Sequence, residues 1–280
     1  MLREALDDAV SIGLTKVEFT GGEPLLYADL LDLATELREK KITTLLVTNG
    51  SLISKNIARK LASINAMVAV SLSTLDEQQF DYLSGTKGNY PLVLEGIYNL
   101  KEAGFSSSGT PLLALQSIAS KDTAAELPTL KAWAEANDCL FILNRPIPVG
   151  ALKQDSMLEG SDLQKLLGQK GKVPFSLDAA CNRLAVGCYI GSDAIVRPCP
   201  CIDLQAGSLK VEKLSEIWQN AEVLAECRMI NANLKGSCGK CEENYRCYGC
   251  RAVAYAVFND LGAPDPGCYR YEKNWKSGGV

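Results

Sequence analysis

In the first half of the chain, short apolar runs alternate with longer amphipathic stretches. KVEFT (16–20), TTLLVT (43–48), AMVAVSLS (66–73), LLALQSIA (112–119) and LFILNRPI (140–147) are bounded by Gly, Asn or polar residues, as buried strands are. Between them, YADLLDLATELREKK (27–41), SKNIARKLASI (54–64), YPLVLEGIYNLKEAG (90–104) and TAAELPTLKAWAEAN (123–137) follow a helical period. In the first of these, Leu30, Leu31, Leu33 and Leu37 fall near one face, with charges elsewhere. Repeated strand–helix units predict an α/β protein with a parallel sheet and right-handed crossovers. The period alone is equally compatible with an open barrel and a doubly wound sheet. LREALDDAVSIGL (2–14) reads as an amphipathic helix closed by Gly13, with Leu2, Ala5, Leu6, Ala9, Val10 and Ile12 inward. A helix leading into a strand is the second half of a strand–helix–strand unit, so a first strand is expected upstream of Met1.

Beyond residue 148 this regularity fades into a connector, with one short helix expected in SDLQKLLGQK (161–170). The cysteines then take over: ten of the eleven lie at or after Cys181, and only Cys139 precedes them. That shift places the domain boundaries at 1–150, a connector at 151–180, a cysteine-rich domain at 181–270 and a tail at 271–280. With 280 residues and 47% apolar content the chain can bury a proper core, so it does not need disulfide staples. A net charge of −4 gives no support for nucleic acid or an anionic membrane surface as partner. No apolar run reaches membrane-spanning length and the first ten residues are not a signal peptide, so the cytoplasm is the expected location. The chain has no histidine. Ser–His and Cys–His catalysis and imidazole zinc sites are thereby excluded.

The thiols fall into two groups. Cys238-x2-Cys241-x5-Cys247-x2-Cys250 is followed by Cys268 after seventeen residues, and Cys181-x6-Cys188-x10-Cys199 precedes it. Cysteines two residues apart converge their sulfurs within a tight turn, and Gly239 and Gly249 supply permissive backbone. YIGSDAIVRP (189–198) reads as a hairpin turning at Gly191-Ser192-Asp193, which draws Cys188 and Cys199 together. Structural zinc, disulfides and iron–sulfur clusters all remain open on spacing. Proline beside the sulfur in RPC (197–199) and DPGC (265–268) is a feature of some ferredoxin runs.

EFTGGEPLL (18–26), at the end of the first visible strand, combined with the C-terminal array, resembles the radical S-adenosylmethionine (SAM) superfamily. The likeness is to members with a SPASM-type C-terminal domain and covers nearly the whole chain. It implies a partial (β/α)6 barrel, lacking its first strand, followed by a small Cys-rich domain. It further implies that Gly21, Gly22, Glu23 and Pro24 meet the amino end of SAM. Ser71 and Ser73, in VAVSLSTLDEQQFDYLSG (68–85), would lie at the barrel top near the ribose, and Arg145, in NRPIPVG (144–150), near cofactor or substrate. LLVTNGSLIS (45–54) would supply a further SAM-facing loop, and SLKVEKLSEIWQN (208–220) the linking helix. By the same resemblance, one auxiliary [4Fe-4S] cluster takes Cys181, Cys188, Cys199 and Cys250, with Cys201 an alternative to Cys188. The other takes Cys238, Cys241, Cys247 and Cys268, while Cys139 and Cys227 are packed thiols.

The CYGCRA form at 247–252 resembles a branch containing haem-biosynthesis and cofactor-maturation enzymes, and peptide-modifying enzymes share it. The implied activity is radical modification of a peptide, or of a cofactor or tetrapyrrole precursor, with ferredoxin or flavodoxin as reductant. Such enzymes cleave SAM reductively at a cluster held by a Cys-x3-Cys-x2-Cys loop before the Gly-Gly turn. Here no cysteine precedes Gly21. Met1 therefore reads as a late start or truncation, and this chain is expected to hold auxiliary clusters without cleaving SAM. Specific catalytic residues are not assigned; Tyr27, Glu23 and Arg145 are the nearest polar candidates. Rival readings are a non-catalytic iron–sulfur scaffold or electron carrier, and a zinc-stabilised peptide-binding protein.

Overall fold

The computed structural model describes residues 1–149, 158 and 183–268. Five strands, β1 (Lys16–Phe19), β2 (Thr43–Thr48), β3 (Met67–Ser71), β4 (Leu113–Ile118) and β5 (Leu140–Asn144), lie side by side in chain order. Every pairing is parallel, with Phe19 opposite Leu46, Thr48 opposite Val70, Ser71 opposite Gln116 and Ile118 opposite Asn144. A doubly wound sheet reverses its strand order at a switch point. This sheet does not; its unreversed strand order is that of the wall of an α/β barrel. All five strands arise in the runs where alternation placed them. AMVAVSLS and LFILNRPI extend past the observed strand ends at Ser71 and Asn144.

The crossover helices are α2 (Leu30–Glu39), α3 (Lys55–Ser63), α4 (Glu77–Ser84), α5 (Tyr90–Glu102) and α6 (Leu127–Ala136). Leu33, Leu37, Leu61, Ile97, Leu100 and Leu130 are all at most 2% exposed, as are Leu46, Val68, Val70, Leu113 and Leu115 on the strands. Apolar side chains on both faces of the inner strands explain why those runs read as continuously apolar. Helix α5 approaches the loop after β2 closely: a β-carbon on Gly96 would stand 2.2 Å from the Gly50 carbonyl oxygen. Next to that contact, Asn99 Nδ2 donates to the Ile53 carbonyl at 2.9 Å. Helix α4 falls where the helical period predicted none, because Phe80 is its single buried residue and leaves little apolar stripe. Its ends carry local signals, with Asp76 capping the Gln79 N–H at 2.7 Å and Gly85 in the left-handed region at φ +66°.

Gly13–Asn144 form one compact unit; Met1–Ile12 and Arg145–Val280 form a second. Helix α1 (Leu2–Ser11) therefore belongs to the second unit. It buries Ala5, Leu6 and Ala9, while Leu2 and Val10 are half-buried and Ile12 is exposed, a narrower stripe than expected. In the same unit, α7 (Arg183–Val186) precedes an antiparallel sheet of β6 (Tyr189–Ile190), β7 (Ile195–Arg197) and β8 (Gly207–Ser208). The β6–β7 pair is the expected hairpin, turned at Gly191–Asp193, where Asp193 accepts the Ile195 N–H at 3.0 Å. Then come α8 (Leu214–Asn220), α9 (Glu222–Arg228), α10 (Gly236–Gly239) and α11 (Arg251–Phe258). Asp8 of α1 accepts the Ser215 N–H at 2.7 Å and its hydroxyl at 3.0 Å, so α1 supplies a carboxylate to the first turn of α8. The core here gathers Leu184, Ile202, Cys227 and Ala252 against Ile147, Cys199, Cys201 and Cys250. The helix expected at 161–170, most of the connector, Cys181 and the tail lie outside the described residues.

Candidate functional sites at the strand ends and in the thiol-rich unit

Parallel strands present their C-terminal ends along one edge, which is where open α/β folds place ligands. In the Gly13–Asn144 unit the loop after β1 opens this edge. Gly21 adopts φ +119°, a conformation that side-chain-bearing residues rarely take. A β-carbon on Gly21 or Gly22 would meet nothing within 4 Å, so the main chain there stands clear and exposed. Glu23 is committed locally. Its Oε1 accepts the Thr48 hydroxyl at 2.7 Å and the Leu25 N–H at 3.1 Å, and its Oε2 accepts the Asn49 N–H at 2.8 Å. The carboxylate thus latches the Gly-Gly turn to the end of β2. Pro24 is buried at the start of a short 3-10 turn, and Tyr27 is exposed just beyond it.

Across the other strand ends runs a polar chain absent from the sequence reading. Asn144 Nδ2 donates to Gln116 Oε1 at 3.1 Å, and Gln116 Nε2 donates to Ser71 Oγ at 2.9 Å. Ser71 is half-buried at the end of β3, and Ser73 is half-buried two residues on. Gln116 and Asn144 each interrupt an apolar strand, which is the signal that marks them in retrospect.

The second unit places Arg145 away from any open position. Its Nη1 donates to Asp265 Oδ2 at 2.6 Å and its Nη2 to Asp265 Oδ1 at 3.0 Å. The Arg145 side chain is 21% exposed and that of Asp265 is 0% exposed. Asp265 also accepts the Cys250 N–H at 2.7 Å on Oδ2 and the Gly267 N–H at 2.9 Å on Oδ1. Burial opposes ionisation of Asp265. The Arg145 charge, its hydrogen bonds and the two backbone donors outweigh that, and hold the carboxyl below its ordinary value.

Around this ion pair the thiols carry donors aimed at sulfur. Cys238 Sγ accepts the Asp265 N–H at 3.3 Å and lies 3.8 Å from Arg251 Nη2. Cys241 Sγ accepts the Glu243 N–H at 3.4 Å, and Cys247 Sγ accepts the Gly249 N–H at 3.5 Å. Sulfur that accepts an N–H two residues on, at both Cys241 and Cys247, suits an anionic ligand thiolate. Among the described residues, no three Cys, Asp or Glu side chains converge closely enough to hold a single metal ion. All ten described cysteines are free thiols. Free thiols that accept backbone N–H groups, at Cys238, Cys241 and Cys247, are a donor set that fits thiolate ligation. Two glycines make the turns possible: a β-carbon on Gly239 would lie 2.3 Å from the Leu234 oxygen, and one on Gly249 2.7 Å from Arg251 Nη2.

The other thiol group surrounds the hairpin. Tyr189 pairs with Arg197, so Cys188 and Cys199 flank its open end. Burial pushes the Cys188 thiol up to about 11. A hydrogen bond shared between Cys199 and Cys201 raises the first and lowers the second. Cys199, Cys201 and Cys250 pack on one apolar core. Cys139 and Cys227 are 2% and 0% exposed, and burial lifts each to about 11. No helix among the described residues is long and apolar enough to cross a membrane.

Comparison with known proteins agrees with this architecture. Residues 1–125 match the family described as the Radical SAM superfamily. An AdoMet-dependent heme synthase of Methanosarcina barkeri (strain Fusaro / DSM 804) is 25% identical, over 94% of this chain and 84% of its own length. Among solved structures, Streptococcus suis SuiB superposes with a TM-score of 0.71 at 19% identity, over 95% of this chain and 70% of its own. Native anSMEcpe, solved with AdoMet and the Cp18Cys peptide, gives a TM-score of 0.66 at 17% identity, over 90% and 81%. These last two share the fold. The family carries SAM and a [4Fe-4S] cluster as cofactors, and its members are enzymes. Residues 1–125 thus carry a match to the Radical SAM superfamily, and the fold over nearly the whole chain is shared with solved members.

Proposed function

We propose that this protein is a SAM-dependent radical enzyme acting on a tetrapyrrole, with a C-terminal unit that holds two auxiliary four-iron clusters. The observation that carries the substrate class is the nearly end-to-end similarity to an AdoMet-dependent heme synthase, over 94% of this chain. SAM with a [4Fe-4S] cluster would supply hydrogen-atom abstraction, but no cysteine of this chain lies before Gly21 to hold that cluster, so the roles assigned here are the chain's own binding and orienting ones. The chain's own residues bind and orient. The clear main chain of Gly21 and Gly22 receives the amino end of SAM, with Glu23 holding that turn against β2. Ser71 faces the ribose, its hydroxyl oriented by the Gln116 amide. Arg145 is committed to Asp265 within the C-terminal unit and is given no role toward SAM. One auxiliary cluster is assigned to Cys238, Cys241, Cys247 and Cys268, supported by the N–H donors on three candidate sulfurs: Cys238, Cys241 and Cys247. The other is assigned to Cys181, Cys199, Cys250 and a fourth thiol. The shared apolar core and the Cys199 hydrogen bond favour Cys201 over Cys188 for that fourth place.

Anaerobic purification followed by iron, sulfide and zinc analysis, then titration with an iron porphyrin followed in the Soret band, tests the reading. About eight irons and matching sulfide per chain are expected, with a saturable Soret shift. Zinc without sulfide makes the protein a zinc-stabilised binder. Clusters without a porphyrin response, but with binding of a precursor peptide, transfer the substrate to the peptide class.

A further inference from the structure

Arg251 is among the largest side chains fully withdrawn from solvent, at 2% exposure, and it opens α11 immediately after Cys250. Its Nη1 donates to the carbonyls of Leu261 at 2.8 Å and Ala263 at 2.6 Å, and its Nη2 reaches Cys238 Sγ at 3.8 Å. Its Nε is buried with no hydrogen-bond partner among the described residues. Of the neighbouring carboxylates, Asp265 is paired with Arg145 and Asp260 with Lys235 at 2.6 Å, and the Arg251 charge acts on Asp260 only across space. A guanidinium does not shed its proton in a protein, and burying one without a counter-charge costs several kcal/mol. Carbonyl acceptors satisfy its N–H groups but do not neutralise it. The site is thus a built cation whose Nη2 lies beside the Cys238 sulfur and whose Nε is still open.

We propose that Arg251 is the buried counter-charge of the iron–sulfur cluster assigned to Cys238, Cys241, Cys247 and Cys268, and that it sets that cluster's redox poise. The inference rests on that assignment. Four thiolates on a four-iron core leave a net anion, and reduction by a one-electron carrier adds one more negative charge without making or breaking a bond. A fixed cation stabilises the reduced form more than the oxidised form and so raises the midpoint potential. Arg251 acts on the cluster through its field and the sulfur contact, and is a positioning residue.

The test is an anaerobic redox titration, followed by electron paramagnetic resonance, of the loaded full chain and its Arg251→Gln and Arg251→Lys variants. Arg251→Gln is expected to keep its iron and shift one transition downward, by about tenfold in the reduced-to-oxidised ratio, which is about 59 mV for one electron. Arg251→Lys, which keeps the charge, is expected to stay at the wild-type potential. An iron-replete Arg251→Gln with unchanged potentials overturns the inference while leaving the cluster assignment standing. Wild-type protein without iron and sulfide overturns both. If the Gln variant does not fold, the Lys variant decides. Retention of the cluster at the wild-type potential upholds the charge requirement, and failure of Lys to fold reduces Arg251 to a folding role.

Discussion

Replacing Asp265 by Asn changes one atom and little volume, yet it should be among the most damaging single substitutions in the C-terminal unit. Each carboxylate oxygen accepts two donors: Oδ2 takes Arg145 Nη1 and the Cys250 N–H, and Oδ1 takes Arg145 Nη2 and the Gly267 N–H. Whichever way the Asn amide turns, its NH2 faces two donors, so flipping cannot relieve the site. The charge is lost as well, which leaves Arg145 unpaired. Removing one partner of a buried pair costs roughly 3–5 kcal/mol. Because the Arg145 side chain keeps 21% exposure, we take the low end, about 3 kcal/mol, or on the order of a hundredfold in an opening equilibrium. Hydrogen exchange of the Cys250 and Gly267 amides in wild type and Asp265→Asn reads this directly, and protection at both should fall by that factor. The double variant Arg145→Met/Asp265→Asn should cost less than the sum of the singles, since it removes the orphaned charge. Protection within threefold of wild type in Asp265→Asn, or strictly additive costs, would refute the idea that this ion pair organises the thiol turns.

Gly96→Ala sets two effects against each other. Alanine improves helix propensity by about 1 kcal/mol, but its β-carbon would sit 2.2 Å from the Gly50 carbonyl oxygen, and such overpacking costs roughly 1–3 kcal/mol or more. The clash is with backbone and should win, seen as a lower urea midpoint. Asp8 gives a pH signature. Its carboxyl is held below the ordinary aspartate value, mainly by the Ser215 N–H, against a small opposing effect of burial, and further by the Ser215 hydroxyl and Lys213. A depressed carboxyl contributes stability above the unfolded pKa and loses it as pH falls through the folded pKa. Thermal midpoints of wild type and Asp8→Asn should therefore differ at neutral pH, begin to draw together below about pH 4 and converge only below the depressed folded value.

The five strands, four of the five crossover helices and the β6–β7 hairpin could be read from the chain because each is written in neighbouring residues: apolar alternation, a helical stripe, a Gly-Ser-Asp turn. The paired cysteines were equally local, since two-residue spacing with glycine constrains the turn whatever surrounds it. Helix α4 escaped because one buried Phe80 makes no stripe. Choosing a barrel wall over a doubly wound sheet needed strand order, which periodicity does not encode. The polar chain Ser71–Gln116–Asn144 joins residues on three strands, and Arg145 meets Asp265 120 positions away. No local pattern in the sequence distinguishes Arg251 from any other charged residue. Only packing shows it buried and held by two carbonyls, with no carboxylate hydrogen-bonded to it among the described residues. Local order follows from short-range preferences of the backbone and side chains, whereas the balance of a buried charge depends on what the folded chain brings around it.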